Sequence, residues 1–143
     1  MVSVGRRDMA DTFKFELVSP ERLLVSAEAV AVVLPGSEGE MTVMAKHAPL
    51  MSTLRPGVIT VELADGQKQS FIVFGGFADI LPDGCTVLAE AGYDRAAFDG
   101  AELARRIEAA RAEREQASGD DQAFKLDEYL SQLTTLQGSV PPA

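Results

Sequence analysis

The hydrophobic positions fall into two regimes. From Thr12 to Glu90 they alternate in short runs cut by Gly, Pro and Asp. "TFKFELV" sets Phe13, Phe15 and Leu17 on one face and Lys14 and Glu16 on the other, the period of a half-buried strand. "AVAVVL" (Ala29 to Leu34) is apolar on both faces, as a strand inside a packed sandwich is. "MTVM", "LMSTL", "VITVEL", "KQSFIVF", "FADIL" and "CTVLAE" follow, and Asp65-Gly66 predicts a tight hairpin, since such residues accept positive φ at little cost. About nine β-runs with no helical interruption predict an antiparallel sandwich or flattened barrel over residues 12–92.

Past Gly92 the period changes. "FDGAELARRIEAARAERE" is rich in helix formers, and Asp99 followed three residues later by Glu102 predicts a capped start at Gly100. Glu102–Arg106 and Arg111–Glu115 are opposite charges at i,i+4. The apolar face is thin: Leu103, Ile107 and Ala110, with Ala104 beside them. "SGDD" breaks this helix and starts a second, in which Ala123, Leu126, Leu130, Leu133 and Leu136 recur at helical spacing. The chain thus divides into a sandwich (12–92), a helical hairpin (93–137) and a frayed tail (138–143). Residues 1–11, with no apolar segment behind their two arginines, are expected to be a disordered extension rather than a signal peptide. So small a hairpin buries little apolar area by itself and reads as detachable.

Composition narrows the function. The chain has 143 residues, with 22 acidic against 13 basic side chains. A net charge of −9 repels phosphate backbones and argues against nucleic acid. No apolar run approaches the ~20 residues needed to span a bilayer, so direct membrane insertion is not expected. Cys85 is the only cysteine and His47 the only histidine. A metal site needs more soft ligands than these two, and Cys85 reads as a buried strand thiol. Glu38 and Glu40, in an exposed "GSEGE" turn, lack the shielding that general acid–base work needs. Gly75-Gly76 is followed by no lysine and no helix, so it marks a bulge or close backbone crossing rather than a phosphate loop. No catalytic, cofactor-binding or metal residue emerges.

Taken together, "PGSEG", "HAPL", the "PG" of Pro56-Gly57, and "FIVFGGFADILPDGCTVLAEA", in this order and spacing, resemble the epsilon subunits of bacterial F-type ATP synthases (delta in mitochondria). The resemblance runs from about Phe13 to Gln137. It implies a β-sandwich of about ten strands followed by a two-helix antiparallel hairpin. It also implies a non-catalytic rotor part, peripheral on the cytoplasmic face of the bacterial inner membrane. Such a part packs on the gamma subunit, stands on the c-subunit ring and couples proton flow to ATP synthesis. Gly36, Ser37, Glu38, Gly39 and Glu40 match the loop that faces the ring in this family, with His47 close by. Through the hairpin, the resemblance implies a weak regulatory contact with the beta subunits of the catalytic head, for which Arg105, Arg106, Arg111 and Arg114 are the cations available.

Some relatives bind ATP through "[IL]-D-x-x-R-A". Here "FDGAEL" keeps Asp99 but sets Glu102 where the arginine belongs, so no ATP cofactor is expected. The rival reading is a free-standing sandwich that binds a peptide or sugar. Such modules offer exposed aromatics, whereas this chain has no Trp and only Tyr93 and Tyr129.

Overall fold

The computed structural model describes residues 11–140, so the expected N-terminal extension and the end of the tail lie almost wholly outside the described residues. The chain forms two compact units, one ending at Ala96 and the other starting at Ala97.

The first unit is a sheet that closes on itself. Its strands are β1 (Phe13–Ser19), β2 (Arg22–Gly36), β3 (Gly39–Met44), β4 (Leu50–Leu63), β5 (Lys68–Leu81), β6 (Gly84–Ala89) and β7 (Gly92–Asp94). Hydrogen-bonded pairing runs β1-β6-β5-β4-β2 and returns from β2 to β1, with β3 outside β2 and β7 beside β5. Every pairing is antiparallel except β1–β6, where Lys14 to Val18 run parallel to Gly84 to Leu88. Phe13, Phe15 and Leu17 all point into the core, with Val32, Leu34, Ile59, Val61, Ile80 and Val87. Cys85 is buried there too, between Phe15 and Ile80 in register.

The short apolar runs join into seven strands among the described residues. Two strands are long because they continue through sequence punctuation, bending instead of ending. β4 passes Pro56-Gly57 and β5 passes Gly75-Gly76. The glycine pair marks the point where β5 changes neighbours, from β7 at Phe71 to Val73 to β6 at Gly76 to Leu81. Gly75 and Gly76 have φ of 105° and 142°, and a Cβ on Gly76 would lie 2.2 Å from the Leu88 carbonyl oxygen. The close backbone crossing expected from sequence is therefore present, and only glycine fits it. At Asp65-Gly66 the hairpin closes with the Leu63 N–H donating to Gln67 O at 2.8 Å and the Gln67 N–H donating to Asp65 Oδ1 at 2.9 Å. The boundary expected at Gly92 falls after Ala96, because Gly92 to Asp94 pair with β5 as β7 instead of linking the units.

The second unit holds α1 (Gly100–Glu115) and α2 (Asp120–Gln137). Asp99 caps α1, its Oδ1 accepting from the Ala101 N–H at 2.9 Å. Leu103, Ile107 and Ala110 on α1 are buried, as are Leu133 and Leu136 on α2, while Ala104 is exposed. α2 begins after Gly119, which has no side chain to cap with; Gln122 Oε1 accepts from the Ser118 N–H at 3.3 Å instead.

Candidate docking surfaces

The β2–β3 hairpin carries the predicted loop. Gly36 pairs with Gly39, and Ser37 and Glu38 form the turn between them. The positive φ falls on Gly39, at 142°. A Cβ on Gly36 would meet the Gly39 carbonyl oxygen at 2.7 Å, so both glycines are needed for a turn this tight. Ser37 fastens the tip to β4: its N–H donates to Thr53 O at 2.9 Å, and its Oγ lies 2.7 Å from Thr53 Oγ1. Glu38 and Glu40 are exposed, and neither forms an ion pair among the described residues. The tip thus presents two uncompensated carboxylates on a turn held from both sides.

His47 lies outside the turn itself, in the loop between β3 and β4. It follows the far end of β3, a strand whose six residues span about 20 Å. Its loop is tied elsewhere: Lys46, in the left-handed region at φ 66°, donates its N–H to Pro82 O at 2.8 Å. The half-buried His47 ring bonds locally, Nδ1 to Ala48 O at 2.8 Å.

A second surface was not foreseen. In register across the outer face lie Thr53 on β4, Phe77 on β5, Leu88 on β6, Val18 on β1 and Leu23 on β2. Phe77, Leu88 and Leu23 are exposed, Leu88 by 54% and Leu23 by 55%. The row begins at the residue that holds Ser37, so the acidic tip and the apolar row are continuous through Thr53. A signal was present in "FADIL", where Phe77 and Leu81 occupy the parity that should be polar if that face met water.

The remaining candidates are engaged internally. Burial first, and the charge of Asp79 second, push the Cys85 thiol up to about 12, so it stays protonated and is no nucleophile. Glu102 Oε1 accepts from Arg105 at 2.7 Å and Oε2 from Arg106 at 2.9 Å. The hydrogen bond from Arg105, joined by the Arg106 charge, holds the Glu102 carboxyl below the usual range despite some desolvation. Arg111 lies 3.8 Å from Glu108, the i,i+3 partner, rather than pairing with Glu115. Arg114 bonds Asp127 of α2 at 2.8 Å, which raises its pKa further. Each of the four arginines named for a regulatory contact therefore has a carboxylate of its own hairpin beside it.

No helix among the described residues is long and apolar enough to cross a membrane. Residues 12–94 match the family described as "ATP synthase, Delta/Epsilon chain, beta-sandwich domain". The chain is 56% identical to the ATP synthase epsilon chain of Mesorhizobium japonicum over 135 residues, covering 94% of this chain and all of that one. It is 58% identical to that of a Chelativorans species over the same spans. Among solved structures it is similar to a chain of the Euglena gracilis mitochondrial ATP synthase (OSCP/F1/c-ring), with TM-score 0.70, 23% identity, and 90% of this chain and 81% of that chain covered. A chain from the central stalk and c-ring of the Tetrahymena thermophila enzyme gives TM-score 0.59 at 13% identity, covering 87% and 96%.

Proposed function

Since this chain belongs to the delta/epsilon family of ATP synthase subunits and is a non-catalytic part of that enzyme, we propose that it is a rotor element joining the gamma subunit to the c-subunit ring. It would sit peripherally on the cytoplasmic face of the bacterial inner membrane and couple proton flow to ATP synthesis. The observation that carries this reading is the Ser37–Thr53 tie, which makes the acidic tip and the apolar row parts of one closed sheet. A part that transmits torque needs two attachment surfaces with no compliant loop between them. The apolar row suits a lasting subunit contact, since obligate interfaces resemble a core cut in half. Glu38 and Glu40 suit basic groups on polar loops of the ring, where charge fixes register more than affinity. The hairpin plays at most a weak regulatory part toward the beta subunits, its arginines being matched by its own carboxylates, and nucleotide is not its ligand. A free-standing peptide- or sugar-binding module has no observation in its favour here.

Charge reversal at the tip tests this. Glu40→Lys should weaken ATP-driven proton pumping in inverted membrane vesicles while leaving ATP hydrolysis and the melting temperature of the subunit nearly unchanged, as surface substitutions cost only about half a kcal/mol. Leu88→Lys should reduce recovery of gamma in pull-downs from detergent-solubilised membranes. Unchanged pumping together with unchanged recovery of gamma and c subunits would sink the rotor reading.

A further inference from the structure

The outward side of α2 has a feature that neither attachment surface of the sheet uses. Phe124 stands nine residues before the buried Leu133, which at 3.6 residues per turn is about half a revolution round the helix. It therefore points away from the seam between α1 and α2. Its side chain is 67% exposed, more than any other large apolar residue among those described. Its neighbours on the helix surface at i−4, i−3, i+3 and i+4 are Asp120, Asp121, Asp127 and Glu128, and all four are exposed. Asp127 is fixed by Arg114; Asp120, Asp121 and Glu128 form no ion pair among the described residues. The only cation of α2, Lys125, lies about 100° round the helix from Phe124.

We propose that this face is a docking site, anchored by Phe124, for a protein surface that offers an apolar pocket rimmed by lysine or arginine. A single exposed apolar residue is ordinary on a soluble protein. An aromatic side chain ringed by like charges is a different arrangement, that of an anchor with a polar rim. The rim selects by sign. Four carboxylates, one of them neutralised, repel an acidic segment or a nucleic acid and attract a basic one. The arginines of α1 do not offset this, because their own carboxylates hold them on the other helix or across the seam. The partner is thus opposite in charge to one that the arginines of α1 would recruit.

The test uses the full chain in the assembled, purified ATP synthase. Photoreactive benzoylphenylalanine placed at position 124 keeps an aromatic group there, and the site's exposure makes the change harmless to the fold. The expected result is a crosslink to another subunit at a residue flanked by lysine or arginine. With Asp120→Asn, Asp121→Asn and Glu128→Gln combined, the yield of that crosslink should fall several-fold. Helical circular dichroism of the variant should stay unchanged. The proposal is overturned by crosslinks confined to this chain, by capture of an acidic or uncharged segment, or by no crosslink at all. It is also overturned by a yield indifferent to the three neutralisations while the helix is intact. None of these outcomes bears on proton pumping, so the rotor reading stands or falls separately.

Discussion

The sandwich and the hairpin are held by different kinds of interaction. In the sandwich each element depends on residues distant in sequence: β1 is fixed by β2 on one side and by β6 on the other. The hairpin is held locally. Its buried residues Leu103, Ile107, Leu133 and Leu136 lie toward the end away from the turn, Ala110 lies nearer it, and the turn end is pinned by Arg114–Asp127. A closed sheet deforms only by breaking ladders, so its surfaces keep their spacing under load. A two-helix seam with one exposed ion pair near its turn opens at small cost, since solvent screens such a pair. The sandwich is built to keep its shape, and the hairpin to open.

The largest effect should come from the point where the sheet closes most tightly. Gly76→Ala would put a methyl group 2.2 Å from the Leu88 carbonyl oxygen and 2.9 Å from the Ala89 Cα, at φ 142°. Both atoms are backbone and cannot swing aside. We expect a loss of at least about 4 kcal/mol in urea denaturation, a large share of a small domain's stability. Gly66→Ala is the control, with φ 91° but nothing within 4 Å, and should cost about 1 kcal/mol. Similar costs at the two positions would mean that conformation alone, and not the crossing, sets the requirement for glycine.

Next comes the boundary. A chain ended after Ala96 keeps β7, whose Tyr93 meets Phe74 edge-on at 6.1 Å between ring centroids. It should melt in one cooperative transition. A chain ended at Gly92 loses most of that strand and bares the edge of β5 beside Phe71 to Val73, and should be less stable by about 2–3 kcal/mol. If the Ala96 form melts without cooperativity, the sandwich does not stand alone and the contrast between the regions fails.

This boundary also shows where sequence reading stops. Local patterns were legible: the inward face of β1, the Asp65-Gly66 hairpin, the capped start at Gly100 and the seam of α2 all rest on neighbours a few residues apart. The parallel β1–β6 pairing was not, because no local signal records which distant strand supplies the next ladder. Nor was the length of β4 and β5, since Pro56-Gly57 and Gly75-Gly76 signal a bend and an end alike. The candidate site divides the same way. The tip was readable from "PGSEGE", whereas the lateral row from Phe77 to Leu23 depends on register.

For the hairpin, Leu133→Ala removes a side chain with no exposure at the packed end of the seam. Truncations of this kind cost about 2–5 kcal/mol, and a seam this short has little to spare. Helical circular dichroism should fall and melt early, while the transition of the sandwich keeps its midpoint. A matching fall in the sandwich transition would show that the two regions unfold as one.

The smallest expected effect sits at the start of α1 and carries a pH signature. Glu102 bridges Arg105 and Arg106 in the first turn, where a carboxylate also favours the positive end of the helix dipole. Its folded carboxyl is held below the ordinary range, chiefly by the Arg105 hydrogen bond. The unfolded chain therefore takes up the proton first as pH drops. It follows that the stabilisation is fully present above the unfolded carboxylate's pKa and is lost as pH falls through the lower, folded value. Glu102→Gln should cost about 0.5 kcal/mol near neutrality, the scale of helix-surface ion pairs. Between about pH 5 and about pH 3 the difference from the unmodified chain should shrink toward zero. Thermal unfolding of the helical signal across that range measures it. A constant difference would mean that Glu102 acts through packing and not charge. The local pairs that made α1 legible in the sequence would then contribute nothing measurable to holding it.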